Sequence, residues 1–129
     1  MSDPLSLIQT AYGHFGRGDI PAMFSLMNDD VAFHFVADRQ APYTAHVVGK
    51  AQLGEWFGSV AATDDIQLFE PRRFFVGNDH VTVLGFERTV SRRSGKSFEC
   101  EWVHVWSLRD GRIAGFWGML DSEAAARAR

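Results

Sequence analysis

Residues 97–120 read SFECEWVHVWSLRDGRIAGFWGML. Phe98, Cys100, Trp102, His104, Trp106 and Leu108 fall on every second position, with Glu99, Glu101 and Ser107 between them. Period two marks a strand whose two faces see different surroundings. Asp110-Gly111 interrupts the run and 112–120 resumes it, so the segment is a hairpin. The same pattern extends toward the N-terminus. Residues 66–76 and 80–91 are strands separated by the turn Gly77-Asn78-Asp79, and Ser94-Gly95-Lys96 turns the chain into the strand at 97–108. Successive hairpins make a mostly antiparallel sheet.

Before residue 66 the period changes from two to 3.6. Leu5, Ile8, Tyr12 and Phe15 form one stripe of a helix over 5–15, which Gly16 and Gly18 end. Asp19 is placed to cap a short second helix, with Pro21 in its first turn, Ala22 to Met27 as its body and Asn28-Asp29-Asp30 as its stop. VAFHFV at 31–36 is a strand by composition, and the stretch from Ala37 to Gly49 is a loop. A third helix is expected from about Lys50 to Val60, with Leu53, Trp56, Phe57 and Val60 as its apolar stripe. The tail DSEAAARAR forms a short helix or frays. Helices first and a hairpin-linked sheet afterward is the order of an α+β domain, here a single one over residues 1–129, with the helices covering one face of one curved sheet.

Composition narrows the function. A net charge of −3 gives no general attraction to nucleic acid or an anionic membrane surface, and the pairs Arg72-Arg73 and Arg92-Arg93 are too short to overturn that. No apolar run approaches the roughly 18 residues of a membrane helix. The N-terminus lacks the basic and apolar segments of a signal peptide. The lone Cys100 forms no internal disulfide, which fits a reducing compartment, so a cytoplasmic protein is expected. The five histidines show no HxH or HExxH spacing and no cysteine pair joins them, so neither a metal nor a cofactor is expected.

The segments GRGDIPAM (16–23), NDDVAFHF (28–35), VVGKAQLGEWF (47–57) and EWVHVWSLRDGRIAGFWGMLDS (101–122) occur in an order and at spacings that resemble the NTF2-like superfamily, in particular its SnoaL-like branch, which also contains ketosteroid isomerase. The resemblance runs from about Leu5 to Asp121. It implies a cone in which a curved sheet wraps around three N-terminal helices and leaves an apolar pocket at its open end, and a homodimer formed through the outer sheet face. Fold alone does not settle function, because this scaffold hosts isomerases, cyclases, dehydratases and non-catalytic binders.

Parity places His104 on the inner face. By the isomerase pattern it falls where that family keeps a hydrogen-bonding aspartic acid, and SnoaL-like cyclases carry a histidine on the equivalent strand. The isomerase's proton-shuttling aspartate falls at Phe35, its first-helix tyrosine near Ala11 beside Tyr12, and the cyclase's final-strand acid at Gly118. Neither family's carboxylate is retained, and Asp38, at the end of the first strand, is the substitute expected.

The other inward residues are Phe35, Phe57, Phe86, Trp102, Trp106, Phe116 and Leu120, with Gly118 leaving space among them, and Tyr12 is the helical residue placed to help. They form a hydrophobic core or the wall of a small-molecule site. His34 is expected on the outer face, His46 in the loop near the mouth, His14 on an exposed helix side and His80 beside a turn. Two functions follow. One is cofactor-independent proton transfer of the isomerase or cyclase type on a hydrophobic small molecule, with His104 as acid, base or orienting donor. The other is a non-catalytic binding or interaction domain in which His104 is a satisfied core histidine.

Overall fold

A computed structural model describes residues 3–36 and 46–129. In chain order the elements are α1 (Pro4–Gly16), α2 (Ile20–Phe24), β1 (Met27–Val36), β2 (His46–Val48), α3 (Lys50–Thr63), β3 (Asp64–Val76), β4 (His80–Ser91), β5 (Ser97–Arg109), β6 (Arg112–Leu120) and α4 (Ser122–Ala128). The strands make one six-stranded sheet in the order β2-β1-β6-β5-β4-β3. Every pairing is antiparallel except that of β1 with β6. Register shifts in β3, and at Ser107/Leu108 where β5 meets β6, bend the sheet. Helices α1 and α3 lie against its inner face.

Local chemistry explains the helix ends. Asp3 caps α1 by accepting from the Ser6 N–H at 2.8 Å, with Pro4 in the first turn. Asp19 caps α2 in the same way through the Ala22 N–H. Asp121 caps α4, which is a formed helix and packs Ala125 and Ala128 into the core.

Three boundaries differ from the sequence reading. α2 stops at Phe24, and β1 begins at Met27 rather than 31 because tertiary hydrogen bonds capture this backbone. The Ile113 N–H donates to the Leu26 carbonyl, and the Arg112 guanidinium donates to the carbonyls of Ser25 and Met27. A register shift between Met27 and Ala32 then absorbs Asn28-Asp29-Asp30 into the strand instead of ending a helix there. Val47 and its neighbours, read as loop, form β2 on the edge of β1. α3 runs three residues past Val60, to Thr63.

Gly85 on β4 shows how tightly the inner face is built. It pairs with Trp102, whose indole lies flat over it, and a Cβ added at Gly85 would meet ring atoms at 2.1 to 2.4 Å. Gly85→Ala is therefore expected to displace Trp102 and to destabilise the fold by about 3 kcal/mol, the upper end of overpacking effects. Thermal melting should show a fall of roughly 10 °C. An unchanged melting temperature would refute this packing.

Candidate functional site

The inner face of β5 carries Trp102, His104 and Trp106, all buried, as the alternation predicts. Above them α1 presents Tyr12. Its ring is stacked with that of His104, 12° between planes and 5.9 Å between centroids, and meets Trp106 edge-on. His104 is also stacked at 3.9 Å on Trp102, and Phe116 meets it edge-on at 4.6 Å.

A hydrogen-bonded chain runs through these rings. The Trp106 Nε1–H donates to the Tyr12 hydroxyl at 2.9 Å, and that hydroxyl lies 2.7 Å from His104 Nδ1. His104 Nε2 has no hydrogen-bond partner among the described residues. Burial pushes the His104 pKa down to about 3 and the Tyr12 hydroxyl well above its ordinary value. Both groups are therefore neutral. In an apolar setting the charged form of either is disfavoured because nothing replaces its hydration.

The chain borders a cavity of about 90 Å³. Ala11, Tyr12 and Phe15 of α1 and Trp56, Phe57 and Val60 of α3 line it from the helices. Phe33, Phe35, Phe69, Trp102, His104, Trp106, Phe116 and Leu120 line it from the sheet. An engineered cavity of about 150 Å³ takes benzene, so this one is a narrow slot smaller than a benzene site, and a ring-bearing guest must spread its lining rings to enter. Gly118 adjoins it: a Cβ there would meet the Phe116 ring at 2.5 Å and Phe35 at 3.1 Å, so the missing side chain is what lets these rings sit together.

Tyr12, Phe35, Phe57, Trp102, His104, Trp106, Phe116 and Leu120 thus meet at one place, with Gly118 beside them. Phe86 does not. It pairs with Glu101 in the β4–β5 register and faces outward, where the Arg72 guanidinium sits 4.5 Å from its ring. The inward positions of β4 are Val81, Val83, Gly85, Glu87, Thr89 and Ser91, because Gly85 is the residue that must accommodate Trp102. Asp38 lies outside the described residues. His46 is a strand residue opposite His34 on the outer side, the two rings 5.9 Å apart. His14 bonds Arg17 and His80 pairs with Asp79, both at the surface. Among the described residues no group of three or more His, Cys, Asp or Glu is arranged to hold a metal ion. Cys100 is buried, and desolvation pushes its thiol up to about 12.

Sequence reasoning missed two acids that border the cavity, Asp64 and Glu87. Asp64 is ion-paired with Arg129, and both side chains are buried. Glu87 accepts from the Thr89 hydroxyl at 2.5 Å, and burial raises its pKa.

These shifts predict opposite pH limbs. His104 binds fewer protons folded than unfolded between its unfolded pKa of about 6.5 and its folded value of about 3, so its contribution is full above pH 6.5 and is lost as pH falls through that window. The difference in unfolding free energy between wild type and His104→Phe, measured in urea across pH 4 to 8, should change by up to about 1.4 kcal/mol per pH unit there. Glu87 is raised, so its contribution is lost as pH rises above the ordinary carboxylate range, and Glu87→Gln should gain relative stability in that direction. A flat difference curve for either variant would contradict the burial of that group.

Comparison with known proteins agrees with this architecture. A sequence profile of the SnoaL-like domain matches residues 8–116. An NTF2-like protein of Burkholderia thailandensis E264 is similar over 99% of this chain and 98% of its own at 24% identity, with a TM-score of 0.90. One from Burkholderia xenovorans LB400 is similar over 97% and 94% at 22% identity, TM-score 0.85. TerC, co-crystallised with polyporic acid, is similar over 98% of both chains at 24% identity, TM-score 0.85. No curated protein matches the sequence. With the profile covering most of the chain and the cone-shaped neighbours covering nearly all of it, the protein belongs to the SnoaL-like domain family of the NTF2-like superfamily.

Proposed function

We propose that the slot binds a flat, ring-bearing hydrophobic molecule with a carbonyl or enol oxygen, and that Tyr12 and His104 move a proton on it without a cofactor. The observation that carries this reading is the Trp106–Tyr12–His104 chain, which leaves one proton unspent inside an apolar cavity. Trp106 only donates, so its bond to the Tyr12 oxygen is fixed. The Tyr12–His104 bond has two neutral forms. In one, Nδ1–H donates to the Tyr12 oxygen, leaving the Tyr12 O–H free to donate and Nε2 free to accept. In the other, Tyr12 O–H donates to Nδ1 and Nε2 carries the proton.

Passing from the first form to the second is a complete catalytic step. Nε2 takes a proton from the carbon beside a carbonyl, Nδ1–H passes to the Tyr12 oxygen, and the Tyr12 O–H goes to the carbonyl oxygen. The C–H bond breaks, an O–H bond forms, and the ketone becomes its enol. No imidazolium or tyrosinate forms, which suits groups whose charged forms burial disfavours. General acid–base catalysis of this kind is worth about 10²- to 10⁴-fold.

The test is exchange of the α-protons of 2-tetralone, a flat bicyclic ketone, in D₂O, together with native mass spectrometry of the purified protein for a retained ligand. Exchange above the buffer rate supports the reading. Binding without exchange selects a non-catalytic binding module, the reading favoured by the low basicity of His104. Neither binding nor exchange refutes a small-molecule site of this kind.

The same proposal includes a homodimer through the outer sheet face, supported by Val48 of β2 and by Trp117 and Met119 of β6, which are 48%, 37% and 40% exposed. Sedimentation should give twice the 14.5 kDa chain mass, and Trp117→Glu should return it to that mass. A wild-type protein sedimenting as a single chain would rule the dimer out.

A further inference from the structure

The slot has a second polar end that the Tyr12–His104 pair does not use. Glu87 lies on the inner face of β4, is 6% exposed and borders the cavity. Its Oε2 is taken by Thr89, and Oε1 has no hydrogen-bond partner among the described residues. Asp64 beside it is balanced by Arg129, so this corner holds two buried acids and one buried guanidinium. Burial raises the Glu87 pKa, the Thr89 hydrogen bond and the Arg129 charge oppose this, and the neighbouring Asp64 adds to it.

Trp102 adds an independent observation. It is 2% exposed, its ring borders the same cavity, and its Nε1–H is buried with no hydrogen-bond partner among the described residues. Buried donors are ordinarily paired. Its register partner is Gly85, and Glu87 is two residues on along the same inner face, so Trp102 and Glu87 are diagonal neighbours.

We propose that Glu87 and the indole N–H of Trp102 together hold a hydroxyl group of the ligand, on the Glu87 side of the Trp102 ring that stacks on His104. A hydroxyl matches both partners. Its oxygen accepts from the indole N–H, and its hydrogen and remaining lone pair answer whichever face the Glu87 acid turns to it. A carboxylate or phosphate is excluded, since it would add negative charge beside Asp64 and Glu87.

The register gives the length of the ligand. His104 pairs with Val83 and Cys100 with Glu87, four residues apart on each strand or about 13 Å at ~3.3 Å per residue, with side chains reaching inward from both ends. The inference, which rests on the small-molecule reading above, is therefore a ring compound with a carbonyl toward His104 and an uncharged hydroxyl toward Glu87 and Trp102, for which two-ring tetralones serve as probes.

The probes are 2-tetralone, 6-hydroxy-2-tetralone and 6-carboxy-2-tetralone, with Kd read from tryptophan fluorescence. Wild type should bind the hydroxyl compound about tenfold more tightly than 2-tetralone, and the carboxylate more weakly than either. Glu87→Leu should bring the hydroxyl and parent compounds to within about twofold of each other, and Trp102→Phe should reduce the preference. In wild type, which avoids any question of misfolding, the infrared band of a buried carboxylic acid, lost in Glu87→Gln, should shift with 6-hydroxy-2-tetralone and not with 2-tetralone. If 2-tetralone binds but wild type shows no hydroxyl preference, or Glu87→Leu keeps it in full, or the band does not shift, this inference is overturned and the small-molecule reading stands. If none of the three binds, the small-molecule reading itself fails.

Discussion

His104→Phe is expected to slow α-proton exchange of bound 2-tetralone by about 10²- to 10⁴-fold, the range for removal of a general acid–base group, while leaving the fold intact. Phenylalanine keeps a flat ring against Trp102, where the imidazole is stacked at 3.9 Å, and against the edge of Phe116. What it removes is Nε2, the atom assigned to take the proton, and Nδ1, the relay to Tyr12. Tyr12→Phe should have a loss of similar size, because it removes the other end of the same relay. Residues that act as a unit are non-additive, so the double variant should be little slower than either single one. Binding of 2-tetralone should change by much less than the rate in all three, since the apolar wall is untouched. Exchange rates that multiply independently, or a His104→Phe protein as fast as wild type, would remove the relay from the mechanism.

Arg129→Ala is expected to destabilise the fold by about 3–5 kcal/mol, the effect of leaving one partner of a buried ion pair uncompensated. The Arg129 and Asp64 side chains are 6% and 7% exposed, and the guanidinium also lies 5.8 Å from the Phe98 ring. Its removal leaves two acids, Asp64 and Glu87, against the same apolar cavity with no cation. Asp64→Asn should be milder, because Glu87 can ionise in its place. Asp64 raises the Glu87 pKa and Arg129 lowers it, so losing the former and keeping the latter favours the charged glutamate. Urea denaturation of the two variants and of Asp64→Asn combined with Glu87→Gln decides the matter. The combined variant should fall to the level of a buried, unpaired guanidinium. Losses below about 1 kcal/mol in all three would mean that the pair behaves as an exposed one.

The strand alternation around His104 placed Trp102, His104 and Trp106 on one side, since Glu99, Glu101 and Ser107 share the other with the smaller Val103 and Val105. The neighbouring strand misled for a definite reason. In the middle of β4, Leu84 and Phe86 make one face more apolar than Gly85 and Glu87 make the other, yet the second pair faces inward with Val81 and Val83. The outer face of this sheet is itself partly apolar, and a long-range contact, the indole of Trp102 over Gly85, sets the parity. Glu87 was hidden by the same inversion. Arg129 was hidden by distance, because no local pattern connects the end of α4 to Asp64 at the start of β3. Likewise the backbone at 25–27 looked helical and became a turn leading into β1 because β6, far along the chain, bonds it.

The parallel pairing of β1 with β6 has a consequence for how the protein is made. Strands β3 to β6 are hairpin neighbours and can zip as they emerge, but β1 must wait for the last strand of the sheet. The stacked pair Phe33 and Phe116, 4.4 Å apart, joins the two ends of the sequence. Until residue 116 has left the ribosome, the row Trp102, His104, Trp106 has no lid from β1, and α1 with Tyr12 has no completed floor to settle on. Contacts of such long sequence separation are slow to form and leave apolar surface uncovered meanwhile. On a translating ribosome the nascent chain therefore passes through a stage in which an aromatic-rich surface is already synthesised and still open, and the cavity beside Tyr12 and His104 is the final part to close.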